Sequence, residues 1–141
     1  MKYFKDIKNK LEWEQYYDPN FNWNNYPFYI DNKLSEDFIR EFKSRVDWVY
    51  ISKYQTLSED FIREFKNKVA WWYVSQYQKL SENFIREFKD KVDWLCISRC
   101  QKLSEDFIRE FQDKVNWVYV SQYQKLSEKF KKEFKKELKI L

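Results

Sequence analysis

The sequence predicts an all-α fold, an α-solenoid of short antiparallel helix pairs with a capping helix at each end. Three observations predict it. A phrase that opens at Leu34 returns at Leu57, Leu80, Leu103 and Leu126, a fixed step of 23 residues. A period in this range marks a repeat array. Each of the four full copies carries two helix-start signals, a Ser before Glu at its head and a residue before Trp in its middle, which is Asp or Asn in three of them. Between these signals the apolar residues fall at helical spacing.

Residues 1–33 are read as a degenerate N-terminal capping repeat followed by an aromatic insertion loop. A shift of 35 residues lays Tyr3 on Phe38, Phe4 on Ile39, Ile7 on Phe42, Leu11 on Val46 and Trp13 on Trp48. That offset exceeds one period by twelve, so a twelve-residue insertion is expected after residue 17. Divergent end repeats are common because one of their faces meets water. The insertion, around residues 18–30, holds Pro19, Pro27 and several Asn, which are expected to exclude a regular helix. Its rings either lid the first helix pair or, through Phe21, Trp23 and Tyr26, present a recognition loop.

Residues 34–125 are four full repeats. In the first, Ser35 is the expected N-cap of a helix A over about 36–46, with Glu36 and Asp37 in its first turn. Leu34 and Ile39 have the spacing of a hydrophobic staple. Asp47 is the expected cap of a helix B over about 48–55, and Val46 with Ile51 repeats the staple. Ala70 stands at the second copy's cap position, so that cap should be the weakest, a loss of about 1 kcal/mol. Phe38, Ile39, Phe42 and Val46 form the core stripe of helix A; Trp48, Ile51, Ser52 and Gln55 share one face of helix B. The serines at 52, 75, 98 and 121 are expected to let neighbouring helices approach closely. Helices this short need their neighbours to be stable.

Residues 126–141 are a fifth helix A serving as a C-terminal cap. Lys131 replaces the Ile of the other copies, as a solvated outer face requires, while Phe130, Phe134 and Leu138 keep the inner stripe.

Composition narrows the chemistry. The chain has no Gly and no His, which excludes glycine phosphate loops, Ser-His triads and histidine metal sites. Its carboxylates all lie near Lys or Arg, a poor setting for acid–base catalysis. An enzyme, a cofactor and a metal are therefore not expected. Net charge is +4, of which residues 126–141 supply six Lys against three Glu. The repeats are near neutral, unlike a basic nucleic-acid stripe. No stretch suits a membrane span and the first residues lack an apolar leader core. An intracellular protein with reduced thiols is expected, in the cytoplasm or a host cytoplasm. Cys96 and Cys100 replace tyrosines of the other repeats. They are too few for a closed zinc site and poorly placed for a disulfide. They read as a locally trimmed surface or as a redox-sensitive pair. The arginines at 40, 63, 86 and 109 form a ladder that either binds phosphates or acidic partners, or is neutralised by Glu36, Glu41 and their repeats.

Positions that change between copies can encode a partner. On helix B these are Val49 and Lys53, Trp72 and Gln76, Leu95 and Arg99, Val118 and Gln122. Flanked by Tyr50, Tyr54, Tyr73, Tyr77, Tyr119 and Tyr123, they form a partner-binding ridge of hot-spot composition if exposed. Alternatively they bury against neighbouring helices.

The phrase Leu103-Ser104-Glu105-Asp106-Phe107-Ile108-Arg109-Glu110-Phe111, followed by Trp117 and Ser121-Gln122-Tyr123-Gln124, resembles short helical repeats in proteins of large DNA viruses and of AT-rich bacteria and phages. The resemblance spans residues 34–141; the period is shorter than that of tetratricopeptide or ankyrin repeats. It implies a viral or phage protein that engages a host factor, such as a defence protein. The residues themselves predict a non-enzymatic protein-binding scaffold or inhibitor. Two other classes stay open: a single-stranded nucleic-acid binder stacking bases on Tyr and Trp, and a self-assembling structural protein that pairs its apolar strip.

Overall fold

A computed structural model describes residues 6–7 and 20–139. The chain is an all-α repeat solenoid of short helices. In chain order the described elements are β1 (Asp6–Ile7), α1 (Tyr26–Asp31), β2 (Lys33–Leu34), α2 (Glu36–Glu41), α3 (Trp48–Tyr54), α4 (Glu59–Glu64), α5 (Trp71–Tyr77), α6 (Glu82–Glu87), α7 (Trp94–Cys100), α8 (Glu105–Glu110), α9 (Trp117–Tyr123) and α10 (Glu128–Glu133). The A helices are α2, α4, α6, α8 and α10; the full-repeat B helices are α3, α5, α7 and α9. The chain forms two compact units, Met1–Ala70 and Trp71–Leu141.

The A helices are shorter than their apolar stripe suggests. α2 stops at Glu41, and Phe42 leaves the helix at φ −105, ψ 24. Without glycine the chain has no ready left-handed helix end. It instead closes a turn in which the Arg45 and Val46 N–H groups both donate to the Phe42 carbonyl, at 2.9 and 3.0 Å. Val46 is buried all the same and keeps its place in the core. The caps form as the sequence predicts: Ser35 Oγ accepts the Phe38 N–H at 3.1 Å, and Asp47 Oδ1 accepts those of Val49 and Tyr50.

The first unit stacks through three devices. Trp48 packs its ring against Phe65 of the next repeat, centroids 4.9 Å apart, while its indole N–H donates to the Lys43 carbonyl and ties the A–B turn. Phe38 and Phe61 are fully buried, each contributing roughly 1.5–3 kcal/mol. The Glu36 carboxylate accepts both the backbone N–H and the hydroxyl of Ser58, at 2.7 and 3.0 Å, so one repeat holds the cap of the next. Gln55 is buried and makes three bonds: its Nε2 donates to the Tyr29 and Asn32 carbonyls, and its Oε1 accepts the Leu34 N–H.

The last contacts correct the expectation of a helix-free insertion. Residues Tyr26–Asp31 form helix α1, with Pro27 in the first turn, where its missing N–H is not needed. α1 is a B helix in register, since Tyr29 and Asn32 lie one period before Ser52 and Gln55. The Tyr29 hydroxyl accepts the Asp47 N–H at 2.8 Å, as Ser52 Oγ accepts that of Ala70 at 2.9 Å. It also donates to the Trp23 carbonyl at 2.7 Å. Burial of this phenol pushes its pKa up to about 12. Trp23 packs on Phe42 at 5.3 Å, the role Trp48 plays toward Phe65. Asp6–Ile7 pairs in parallel with Lys33–Leu34, Asp6 opposite Lys33. Ile7, aligned with the Phe42 of a helix A, thus lies in extended backbone; the remainder of the expected capping repeat, 1–5 and 8–17, lies outside the described residues.

The second unit repeats these devices. Trp71, Trp94 and Trp117 pack on Phe88, Phe111 and Phe134 at 4.9–5.0 Å. Gln101 joins the Ser75 and Gln78 carbonyls to the Leu80 N–H, and Gln124 joins those of Ser98 and Gln101 to the Leu103 N–H. Ser75 and Ser98 are buried, and their hydroxyls bridge helices: each donates to the Trp carbonyl four residues back and accepts the N–H of Asp93 or Asn116. Serine at this position is therefore needed for its hydroxyl as well as for its small size. The C-terminal helix α10 forms, with Phe130, Phe134 and Leu138 buried beneath its lysines.

Candidate partner-binding face

Two layers of side chains remain toward solvent, and they differ in chemistry. The A-helix layer is charged and internally paired. Arg40 Nε donates to Glu64 of the next repeat at 2.8 Å and its Nη1 to Asp37 at 2.9 Å. Arg86 does the same toward Glu110 and Asn83, and Arg109 toward Glu133 and Asp106. Each of these three guanidiniums also sits 5.1–5.2 Å from the ring of the next repeat's Phe61, Phe107 or Phe130. Glu36 approaches Arg40 only to 3.9 Å, because its carboxylate is turned to Ser58. At Arg40, Arg86 and Arg109 the ladder is thus a neutralised surface, with partners three residues back and in the next repeat, while Arg63 pairs with Asp60 at 2.7 Å. Hydrogen bonds from Ser127 hold the Glu105 carboxyl below its ordinary range, and Arg109 does so for Glu133.

The B-helix layer carries the changing residues. In the first unit Val49 is 43% exposed, and the Lys53 ammonium lies 5.0 Å over the Tyr54 ring. In the second unit α5 contacts α7 and α7 contacts α9. Trp72, Leu95 and Val118, at the same register on these three helices, are 47%, 43% and 53% exposed. The alternative of burial against neighbouring helices does not hold for them. Tyr77 and Tyr123 are also exposed, whereas Tyr73, whose ring meets that of Trp72 at 4.7 Å, and Tyr119 are half-buried. Gln122 is exposed; Gln76 is half-buried, and its Oε1 is a buried atom without a hydrogen-bond partner. The Arg99 guanidinium lies 5.8 Å over the Tyr119 ring. Of the insertion residues, Phe21 packs on Trp23 and Phe28, Trp23 on Phe28 and Phe42, and Tyr26 is exposed 6.2 Å from Tyr50.

One expectation fails within this layer. Cys96 is buried rather than part of a trimmed surface, and only Cys100 is exposed. A cysteine is small enough to sit inside where the other repeats keep a half-buried tyrosine. Burial, and after it a hydrogen bond to Asp93, push the Cys96 thiol up to about 12, which leaves it inert at neutral pH.

What the sequence does not announce is structural: the bonds made by Gln55, which it only places on a shared face of helix B, by Gln101 and Gln124, and the roles of Tyr29 and Asn32. Gln recurs unchanged at 55, 78, 101 and 124, and counting back one period from Ser52 and Gln55 reaches the other two. Among the described residues no group of three or more His, Cys, Asp or Glu could hold a metal ion. No described helix is long and apolar enough to cross a membrane. Comparison with protein-family models, with curated proteins and with solved structures gives no match.

Proposed function

We propose that the chain is a non-enzymatic protein-binding repeat scaffold, and that its partner docks on the outer face of the B helices. The observation that carries this reading is the exposure of Trp72, Leu95 and Val118 at one register of three successive, touching helices. Buried Phe and Ile, the Trp–Phe contacts and the Gln bridges already join one helix pair to the next within each unit, and Trp72, Leu95 and Val118 stand outside those contacts. A row of large apolar groups held in water, flanked by Tyr and Arg, has the composition of an interface core. The resemblance of the repeat phrase to viral and phage proteins adds the expectation that the partner is a host factor and the chain its inhibitor.

A random-peptide display selection on the full chain tests the reading, with counter-selection on a Trp72→Ala/Leu95→Ala/Val118→Ala variant. Peptides that bind the native chain and lose the variant support it. Enrichment indifferent to all three substitutions removes it.

A further inference from the structure

Charge is divided between the two layers of the second unit. The segments 71–81, 94–104 and 117–127, which comprise α5, α7, α9 and the turns after them, contain no Asp or Glu. Their only charges are Lys79, Arg99, Lys102 and Lys125, with the three lysines exposed and Arg99 half-buried. Asp93, the N-cap just before α7, has its carboxylate engaged by the Cys96 N–H at 2.8 Å. The acids of the A helices are instead engaged with arginines and with serine caps. Exposed Asp90 and Asp113 lie in the turns before α7 and α9, but from the first residue of each helix through the turn after it every charge is a cation, and an apolar row on such helices is complementary to apolar groups bordered by carboxylates.

We propose that the outer face of α5, α7 and α9 docks an acidic polypeptide segment that carries large apolar side chains. The proposal rests on the protein-binding reading above and names the chemistry of the partner. The partner's apolar groups cover Trp72, Leu95 and Val118, and its carboxylates meet Arg99 and the lysines at the rim. Aliphatic Leu95 and Val118 offer no ring for a base to stack on, which favours polypeptide over single-stranded nucleic acid. Successive B helices lie about 8–10 Å apart, and an extended chain advances about 3.3 Å per residue. An extended segment therefore meets one helix with about every third side chain.

The same display selection separates this proposal from the reading it rests on. Peptides that need Trp72, Leu95 and Val118 are sequenced and their net charge is compared with the starting library. The expected result is enrichment of net-negative peptides whose affinity drops at least about tenfold on Arg99→Glu/Lys102→Glu, and drops again in about 0.5 M salt, where screening shortens to a few Å. Both substituted side chains reach solvent, and an unchanged thermal midpoint confirms that the variant folds. Strip-dependent peptides that are neutral or basic, or that bind the charge-reversed variant equally well, overturn the acidic partner and leave protein docking standing. An oligothymidylate that binds the face more tightly than every selected peptide assigns it to nucleic acid and overturns the proposal. Absence of any strip-dependent peptide overturns the docking reading and the proposal together.

Discussion

Gln101 shows how a single side chain fixes one repeat on the next. Its buried amide joins two carbonyls of the preceding repeat, those of Ser75 and Gln78, to the N–H of Leu80, which opens its own repeat. Gln101→Leu leaves those backbone groups without partners, and an unmet buried polar group costs about 1–3 kcal/mol. Urea unfolding should show a loss of that order or more, whereas Gln122→Ala, on an exposed side chain, should stay within about 0.5 kcal/mol. Tyr29 does the equivalent work at the first repeat. Its folded pKa is raised, so its contribution is complete below the unfolded value of about 10 and is lost as pH rises through about 12. Tyr29→Phe should therefore lower the urea midpoint at neutral pH yet show less of the decline between those two values than the native chain. The two thiols should also separate: alkylation of the folded protein should modify Cys100 and spare Cys96, with one adduct by mass spectrometry. Two adducts without denaturant would show that Cys96 opens readily.

At the scale of elements, the repeat phrase made most of the helices legible. Ser caps, Trp positions and apolar spacing are local signals, and the observed B helices follow them closely. The ends of the A helices were less legible, because a stripe that continues to Val46 reads as helix although the backbone turns at Phe42. Helix α1 was hidden for a different reason. Pro27 and the asparagines obscured a B helix that is recognised by its register with Ser52 and Gln55. The binding face lay between these cases: sequence named its positions, but exposure depends on which helices are neighbours. Caps can be tested at this scale. Ala70, standing where Asp47 and Asp93 cap, has no side-chain acceptor. Ala70→Asp should raise stability by about 0.5–2 kcal/mol, read as an increase in thermal midpoint. A lowered midpoint would mean that position 70 is held by other constraints.

For the whole molecule, the fixed letters of the repeat specify stacking and the changing letters specify surface. Glu105 and Glu133 illustrate the first. Their folded pKa values lie below the ordinary carboxylate value of about 4.3, so their contribution is present above it and is lost as pH falls through the lowered values. The thermal midpoint should hold steady near neutrality and fall in acid below that value, and Glu105→Gln should flatten part of that fall. Trp72 and Leu95 illustrate the second, and they carry the central claim. The most direct measurement is a paired one on Trp72→Ala/Leu95→Ala: thermal midpoint, and affinity for a peptide selected on the native chain. The expected result is a midpoint within a few degrees of the native value and an affinity at least about tenfold weaker, as the loss of hot-spot side chains implies. A large fall in midpoint with affinity retained would show that these side chains serve packing, and would contradict it.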